Sequence, residues 1–525
     1  MVPLPSFLAS TFFLIFPLIF SVVIFLILRP KRKSIETRKL PRSYPLLGTY
    51  LAASANKHRR NQWFTELLQN SPSSTFVIKH LLGPRQILTG NPAVVQHILK
   101  SNFPNFGKGD AFRVNVTDFL GDGIFAVDGQ AWKFQRQVAS HEFNAKSLRK
   151  FVETVVDAEL HARLIPILAG AAAGDGGSGL LDFQDILQRF AFDNICKIAF
   201  GYDPAYLLPS LPESKLAVAF DAATKITGER SMSLIPLMWK IKKFFNVGSQ
   251  RELAEAVAVV REFALTVIRE KKKELAENSS LDSVDLLSRF LSSGHSDDKF
   301  VTDIVISFVL AGRDTTSAAL TWFFWLVSTH PRVEREILSE IISSEKKSSA
   351  AEEGGTGGGG SVYEEVKEMV YTHAALCESM RLYPPVPSDS KHAANDDVLP
   401  NGTAVKKGER VTYHPYAMGR LEVIWGKDWP EYRPERWLKW DEAAKKWSFV
   451  ARDPYSYPVF QAGPRICLGK EMAFLQMKRV VAGVVRRFRV VPAVDEGFNP
   501  VFLSYLTAKM KGGFPVKIHE RSINC

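Results

Sequence analysis

The chain has 525 residues, 46% of them hydrophobic and 23% charged. That balance excludes a disordered, fibrous or many-spanning membrane protein. The net charge of +12 is unevenly placed, with seven basic residues against Glu36 alone between Arg29 and Arg42, which argues against a folded nucleic-acid-binding face.

Phe7 to Leu28 is a run of 22 residues without a charge. As a helix it is about 33 Å long, enough for a hydrocarbon core of about 30 Å. No basic residue precedes it and no small-x-small site ends it, which favours a membrane anchor over a cleaved signal peptide. Arg29, Lys31, Arg32 and Lys33 follow at once, so the expected topology is single-pass with the rest of the chain in the cytosol. Residues 1–28 are thus the anchor. Residues 29–50, with Pro41, Pro45 and Gly48, are a basic, stiff hinge, and residues 51–525 are the globular body.

Thr75 to Gly90 has β-branched residues on both sides of Gly83-Pro84 and predicts a hairpin. Helical periodicity dominates thereafter, predicting a mainly α fold with a minor β-sheet. Trp132 and Arg136 set an aromatic N–H and a guanidinium at i, i+4 on one helix face. Ala169 to Gly179 and Ser348 to Ser361 are Gly/Ala/Ser tracts, read as solvated loops. Ile304 to Trp325 is a mostly apolar helix interrupted by Ala311-Gly312-Arg313-Asp314-Thr315-Thr316. Threonine hydroxyls there can bond carbonyls of the preceding turn and open the helix; a plain Thr-rich kink reads the same. Glu378 and Arg381 lie at i, i+3, spaced for an ion pair that at a surface contributes little. Val398 to Val411 reads as short strands about an Asn401-Gly402 turn.

Phe460-Gln461-Ala462-Gly463-Pro464-Arg465-Ile466-Cys467-Leu468-Gly469 then leads into helical periodicity from Glu471 to Phe488. Cys467 is one of four cysteines, with Cys196, Cys377 and Cys525: too few for a disulfide framework, with no Cys-x-x-Cys zinc pair, pointing to a reducing compartment. At a helix entrance, free N–H groups and the helix dipole favour the thiolate that ligates iron or attacks carbon. Taken alone, such a cysteine is as often a small buried hydrophobe. Gly463 and Gly469 suit close passage of backbone past a flat group, and Arg465 suits a carboxylate. The pattern Phe-x-x-Gly-x-Arg-x-Cys-x-Gly resembles the haem-ligating loop of the cytochrome P-450 superfamily. The motifs at Trp132, Asp314, Glu378 and Arg436 (in Pro434-Glu435-Arg436-Trp437) follow that family's order.

The resemblance implies a cytochrome P-450 fold with an N-terminal transmembrane helix in the endoplasmic reticulum membrane. It implies haem b ligated by Cys467, with Phe460, Gly463 and Gly469 around it and Trp132, Arg136 and Arg465 toward its propionates. Glu378, Arg381 and Arg436 would lock together behind the cysteine loop, with Trp437 where Phe is commoner. Asp314 and Thr315 would relay protons to dioxygen. The implied reaction is monooxygenation, with electrons from NADPH through NADPH-cytochrome reductase, since no Gly-x-Gly-x-x-Gly fingerprint offers a nicotinamide or flavin site.

Longer strings, among them FLGDGIFAVDGQAWKFQRQVASHEF and FQAGPRICLGKEMAFLQMKRV, are similar to the plant fatty-acid hydroxylase clan, most of all its family 94. That family includes fatty-acid ω-hydroxylases and oxidases of jasmonoyl-isoleucine. WKFQRQVASHEFNAKSLRKFVE resembles the fatty-acid branch, so ω-hydroxylation of a fatty acid ranks first and jasmonoyl-isoleucine second. Attack at a terminal methyl needs narrow apolar walls, because its C–H bonds are stronger than interior ones. Analogy with the fold places Phe112, Phe119, Phe308, Ala311, Val386 and Leu506 there, each equally suited to plain core. A dioxygen-independent haem-thiolate isomerase or dehydratase, and a haem-binding carrier or sensor, are the remote alternatives; Asp314-Thr315 argues against the former.

Overall fold

The computed structural model describes residues 40–81, 85–174, 179–277, 285–293, 297–353, 361–443, 445–495 and 497–522. The predicted anchor and most of the hinge lie outside that range. Among the described residues no helix is long and apolar enough to cross a membrane.

The last part of the hinge belongs to the body. Leu40 packs on a cluster with Trp63, Leu67 and Leu68, and the Thr49 N–H and hydroxyl both donate to the Lys79 carbonyl (2.8 and 3.0 Å). The Trp63 cluster is one face of helix α1 (Arg60–Gln69). Strands β1 (Thr75–Lys79) and β2 (Arg85–Thr89) pair antiparallel, Thr75 opposite Thr89, as the hairpin pattern predicts. With β3 (Phe106–Gly107), β4 (Asp389–Ala393) and β5 (Arg410–Tyr413) they form one sheet, ordered β1-β2-β5-β4-β3. Ile78 and Leu88 face α1, while Ile87, Val411 and Tyr413 face a second cluster with Val94, Ile98 and Leu99, the alternation expected of strands covered on both sides.

Helices make most of the rest, with small sheets of two or three strands between them. α2 (Gly109–Leu120), α3 (Gly129–Ser140), α4 (Phe183–Phe200), α5 (Lys215–Ser231), α6 (Pro236–Phe244) and α7 (Ser249–Glu277) precede the central pair, α8 (Asp298–Val309) and α9 (Thr315–Thr329). α10 (Val370–Leu382) and α11 (Lys470–Arg487) follow. One large apolar core gathers α9, α10 and α11 around Trp322, Leu376 and Val480; another gathers α2, α4, α5, α7 and α8 around Phe220, Val260 and Ile304. Phe460 packs against the first and Leu468 against the second, so the cysteine loop bridges them.

Two expectations are corrected. Ala169 to Ala173 ends the helix Ile165–Ala173 and Ser348 to Glu353 ends the helix Pro331–Glu353, because runs of Ala and Glu favour helix. Phe488 starts the strand Phe488–Pro492, paired with Pro515–Glu520, rather than ending α11.

Candidate active site

The cysteine loop is held by its own backbone: Cys467 N–H donates to Phe460 O (2.8 Å) and Ile466 N–H to Gly463 O (3.0 Å). Gly463 has φ +65°, and a Cβ there would lie 2.0 Å from the Leu99 carbonyl, so the close approach this glycine permits is to the chain itself. Gly469 N-caps α11. Cys467 is the one accessible thiol of the three described cysteines. Although one side of the residue is open, the protein atoms crowded around its sulfur push the thiol above the usual range, opposed by the Gly469 N–H, Arg136 and Lys470.

Behind this loop, Glu378 exposes no surface and receives five donors. Arg381 reaches it through Nε (2.8 Å) and Nη2 (2.7 Å), Arg436 through Nε (3.0 Å), Trp437 through the indole N–H (2.9 Å) and Arg433 through its backbone N–H (3.1 Å). The remaining guanidinium N–H groups of Arg381 and Arg436 bind carbonyls of Gly419, Glu431, Trp425 and Asp428. A carboxylate so saturated stands far from the low value of an exposed i, i+3 pair. Trp437 also meets Tyr457 edge-on at 4.7 Å, and the Tyr457 hydroxyl donates to Cys377 O (2.9 Å), tying the Glu378 cluster to the segment that enters the cysteine loop. The sequence reading missed Tyr457 and the indole N–H; nothing in local spacing marks either.

Above the loop stands a cationic group. The Arg465 guanidinium carbon lies 4.5 Å from the Trp132 ring centroid and that of Arg136 5.9 Å from it. Arg465 Nη2 donates to Val127 O (2.9 Å) and Asp128 (2.6 Å), while its buried Nε has no partner. Beside it, the buried carboxylate of Asp389 receives Lys108 Nζ and Lys391 Nζ, both at 2.8 Å, and the Tyr413 hydroxyl at 3.0 Å. Burial drives Lys391 down to about 7 despite Asp389. Asp389 and Lys391 two apart on a strand share a face, a signal present in the sequence but not taken up.

Between α8 and α9 the helix widens over Leu310–Asp314. The Thr315 hydroxyl donates to Ala311 O across that turn (2.6 Å). Asp314 is fully buried, with one oxygen on Arg313 Nη1 (2.7 Å) and the other accepting from the Thr507 hydroxyl (3.1 Å). Any proton path through Asp314 therefore runs by those two partners.

The sequence matches the Cytochrome P-450 family over residues 39–511. Cytochrome P-450 94A2 of Vicia sativa is 62% identical over 497 residues, 94% of each chain. Cytochrome P-450 94A1 of Vicia sativa is 61% identical, covering 92% of this chain and 91% of its own. Cytochrome P-450 94B3 of Arabidopsis thaliana is 48% identical, covering 97% and 98%. The chain is a cytochrome P-450 of family 94. As such it is a haem-thiolate monooxygenase that uses dioxygen, with haem b as cofactor and NADPH electrons delivered through a partner reductase.

The residues present fit that cofactor. The unpartnered Arg465 Nε, with Arg136 and the Trp132 indole, offers donors suited to carboxylates of a flat dianion, and Cys467 offers an accessible sulfur. A metal at that sulfur deprotonates it outright, supplying the charge that burial alone disfavours. When bound, thiolate-ligated haem supplies the activation of dioxygen that inserts oxygen into a C–H bond. Of the expected pocket residues, Phe308 lies within the apolar cluster of α2, α4, α5, α7 and α8, with Phe112 and Leu506 on its margin. Phe119 has no exposed surface and meets Phe220 edge-on at 5.2 Å; Ala311 and Val386 are half-buried.

Proposed function

We propose that this cytochrome P-450 is a membrane-anchored hydroxylase of the terminal carbon of fatty acids. The observation that carries the reading is the apolar cluster holding Phe308 and bordered by Phe112 and Leu506, which adjoins the wide turn at Thr315 through Leu310. Apolar side chains beside the wide turn suit a hydrocarbon chain. The resemblance of Trp132 to Glu153 to the fatty-acid branch supports it, as does identity higher to the 94A than to the 94B relatives. Microsomes carrying the chain with a reductase, supplied with NADPH, are expected to hydroxylate lauric or oleic acid at the terminal carbon. Turnover of jasmonoyl-isoleucine with neither fatty acid touched would replace this reading.

Within the reaction, the Thr315 hydroxyl passes protons toward dioxygen at the wide turn, with Asp314 as the acid of the pair, reached through Arg313 and Thr507. Thr315→Ala is expected to keep haem and substrate binding while product formation falls about 10²- to 10⁴-fold, the usual effect of losing a positioned proton-transfer group. NADPH consumption then ends in hydrogen peroxide, and an organic peroxide, which brings its oxygen already reduced, partly restores product. Product formed per NADPH as in the parent enzyme would mean that Thr315 only shapes the helix.

The membrane reading rests on residues 7–28 and on α6 with its C-cap, where Leu237, Phe244 and Phe245 are 63%, 83% and 66% exposed beside Lys240, Lys242 and Lys243. An exposed apolar face rimmed by lysines suits a bilayer surface. Deleting Met1 to Lys33 is expected to lower the fraction sedimenting with membranes while the carbon monoxide spectrum of the haem survives. Loss of haem from a soluble truncation would show that anchor and body fold together.

A further inference from the structure

The face of the sheet that meets α1 carries cations with no counter-charge. On β5, Arg410 Nη2 donates to the Gln86 side-chain oxygen, which also bonds His80 Nε2 (2.9 Å), and Nη1 reaches the Ser231 carbonyl at 3.5 Å. Arg60, at the start of α1, is close enough to Arg410 for mutual repulsion. Burial, with that repulsion behind it, lowers Arg410 to about 10, and it lowers Arg60 and His80 as well. No carboxylate pairs with Arg410 or Arg60 among the described residues. Glu409, next in sequence, points to the other side of the strand and is taken by Arg85 (2.7 and 2.9 Å).

A guanidinium half withdrawn from water beside a second one is costly unless an anion joins them, and such violations of local pairing mark ligand sites. The position fits that role. Gly228 of α5 lies against Tyr505 and Leu506 so closely that a Cβ would be 2.7–2.8 Å from their backbone, and the neighbouring Thr507 bonds Asp314 beside Thr315. One turn further along α5, Ser231 touches Arg410. The cations therefore stand one helical turn along α5 from its contact with Leu506, whose neighbour Thr507 holds Asp314 at the wide turn.

We propose that Arg410, backed by Arg60, receives the carboxylate of the substrate, the end opposite the carbon oxidised. This rests on the reading of the substrate as an apolar acid, and it explains how a terminal methyl rather than the head group comes to face Thr315. It makes Arg410 a specificity residue for acids over their neutral analogues.

The test titrates full-length, haem-loaded protein with lauric acid and with methyl laurate, following the spin-state change of the haem absorbance. Parent protein is expected to bind the acid more tightly. In Arg410→Gln the acid-over-ester ratio is expected to fall about 10- to 100-fold, as loss of a charge-assisted pair dictates, whereas Arg410→Lys keeps much of it. A ratio unchanged in Arg410→Gln, or equal weakening of acid and ester, overturns the inference. If Arg410→Gln does not retain haem, Arg60→Gln carries the comparison, where a reduced ratio supports the inference and an unchanged one overturns it. An intact ratio with weaker sedimentation on phosphatidylserine vesicles would assign the cations to lipid and also overturn it. If parent protein takes jasmonoyl-isoleucine instead of lauric acid, the fatty-acid reading fails by itself, and the same ratio for that acid and its methyl ester still decides the role of Arg410.

Discussion

Cys467→Ala is expected to abolish the carbon monoxide difference band near ~450 nm, the mark of thiolate-ligated haem, and with it all NADPH-dependent turnover. No other described cysteine can substitute. Cys196 and Cys377 are fully enclosed in the apolar cores, and burial, the leading effect on each, pushes both thiols far above the range in which a thiolate forms. Cys467 alone combines an accessible sulfur with a Gly469 N–H and two nearby cations, Arg136 and Lys470. Cys467→Ser keeps the shape of the loop and separates loss of ligation from loss of fold. A parental band in either variant would refute the assignment.

Glu378→Gln is expected to cost about 3–5 kcal/mol, the usual penalty for breaking a buried pair by removing one partner: Arg381 loses the carboxylate it is paired with, while Arg436 keeps Asp428 at 2.9 Å. Stabilities of ordinary domains are about 5–15 kcal/mol, so a large share of the margin goes. The magnitude separates two readings of one sequence feature. A surface i, i+3 pair contributes roughly 0–1 kcal/mol. Here Glu378 and Arg381 have fully buried side chains, and Arg436 shares the same carboxylate. The loss is expected as a lowered urea midpoint and poor haem retention, because Trp437 and Tyr457 carry the Glu378 cluster toward the cysteine loop. A midpoint within about 1 kcal/mol of the parent would return the pair to the surface class.

The cysteine loop, the Glu378-Arg381 pair and the interrupted helix were legible because each is local. A ten-residue loop, an i, i+3 spacing and a run of Gly and Thr carry their geometry in a few consecutive residues. Gly463 shows where local reading stops. Its small size was read as room for a flat group, yet the contact that demands it is the Leu99 carbonyl, brought there by the packing of a distant segment.

The sequence by itself determined the family, the mainly helical class and the type of chemistry, since these depend on short motifs in a set order. Only the tertiary structure decided how charges are shared. Lys108 meets Asp389 across 281 positions, Arg465 meets Asp128 across 337, and Arg410 meets Gln86 across 324. Strand register and helix packing set those distances, and whether a charge is paired, stranded or free to take a ligand depends on which partner lies within about 3 Å once the chain has closed on itself.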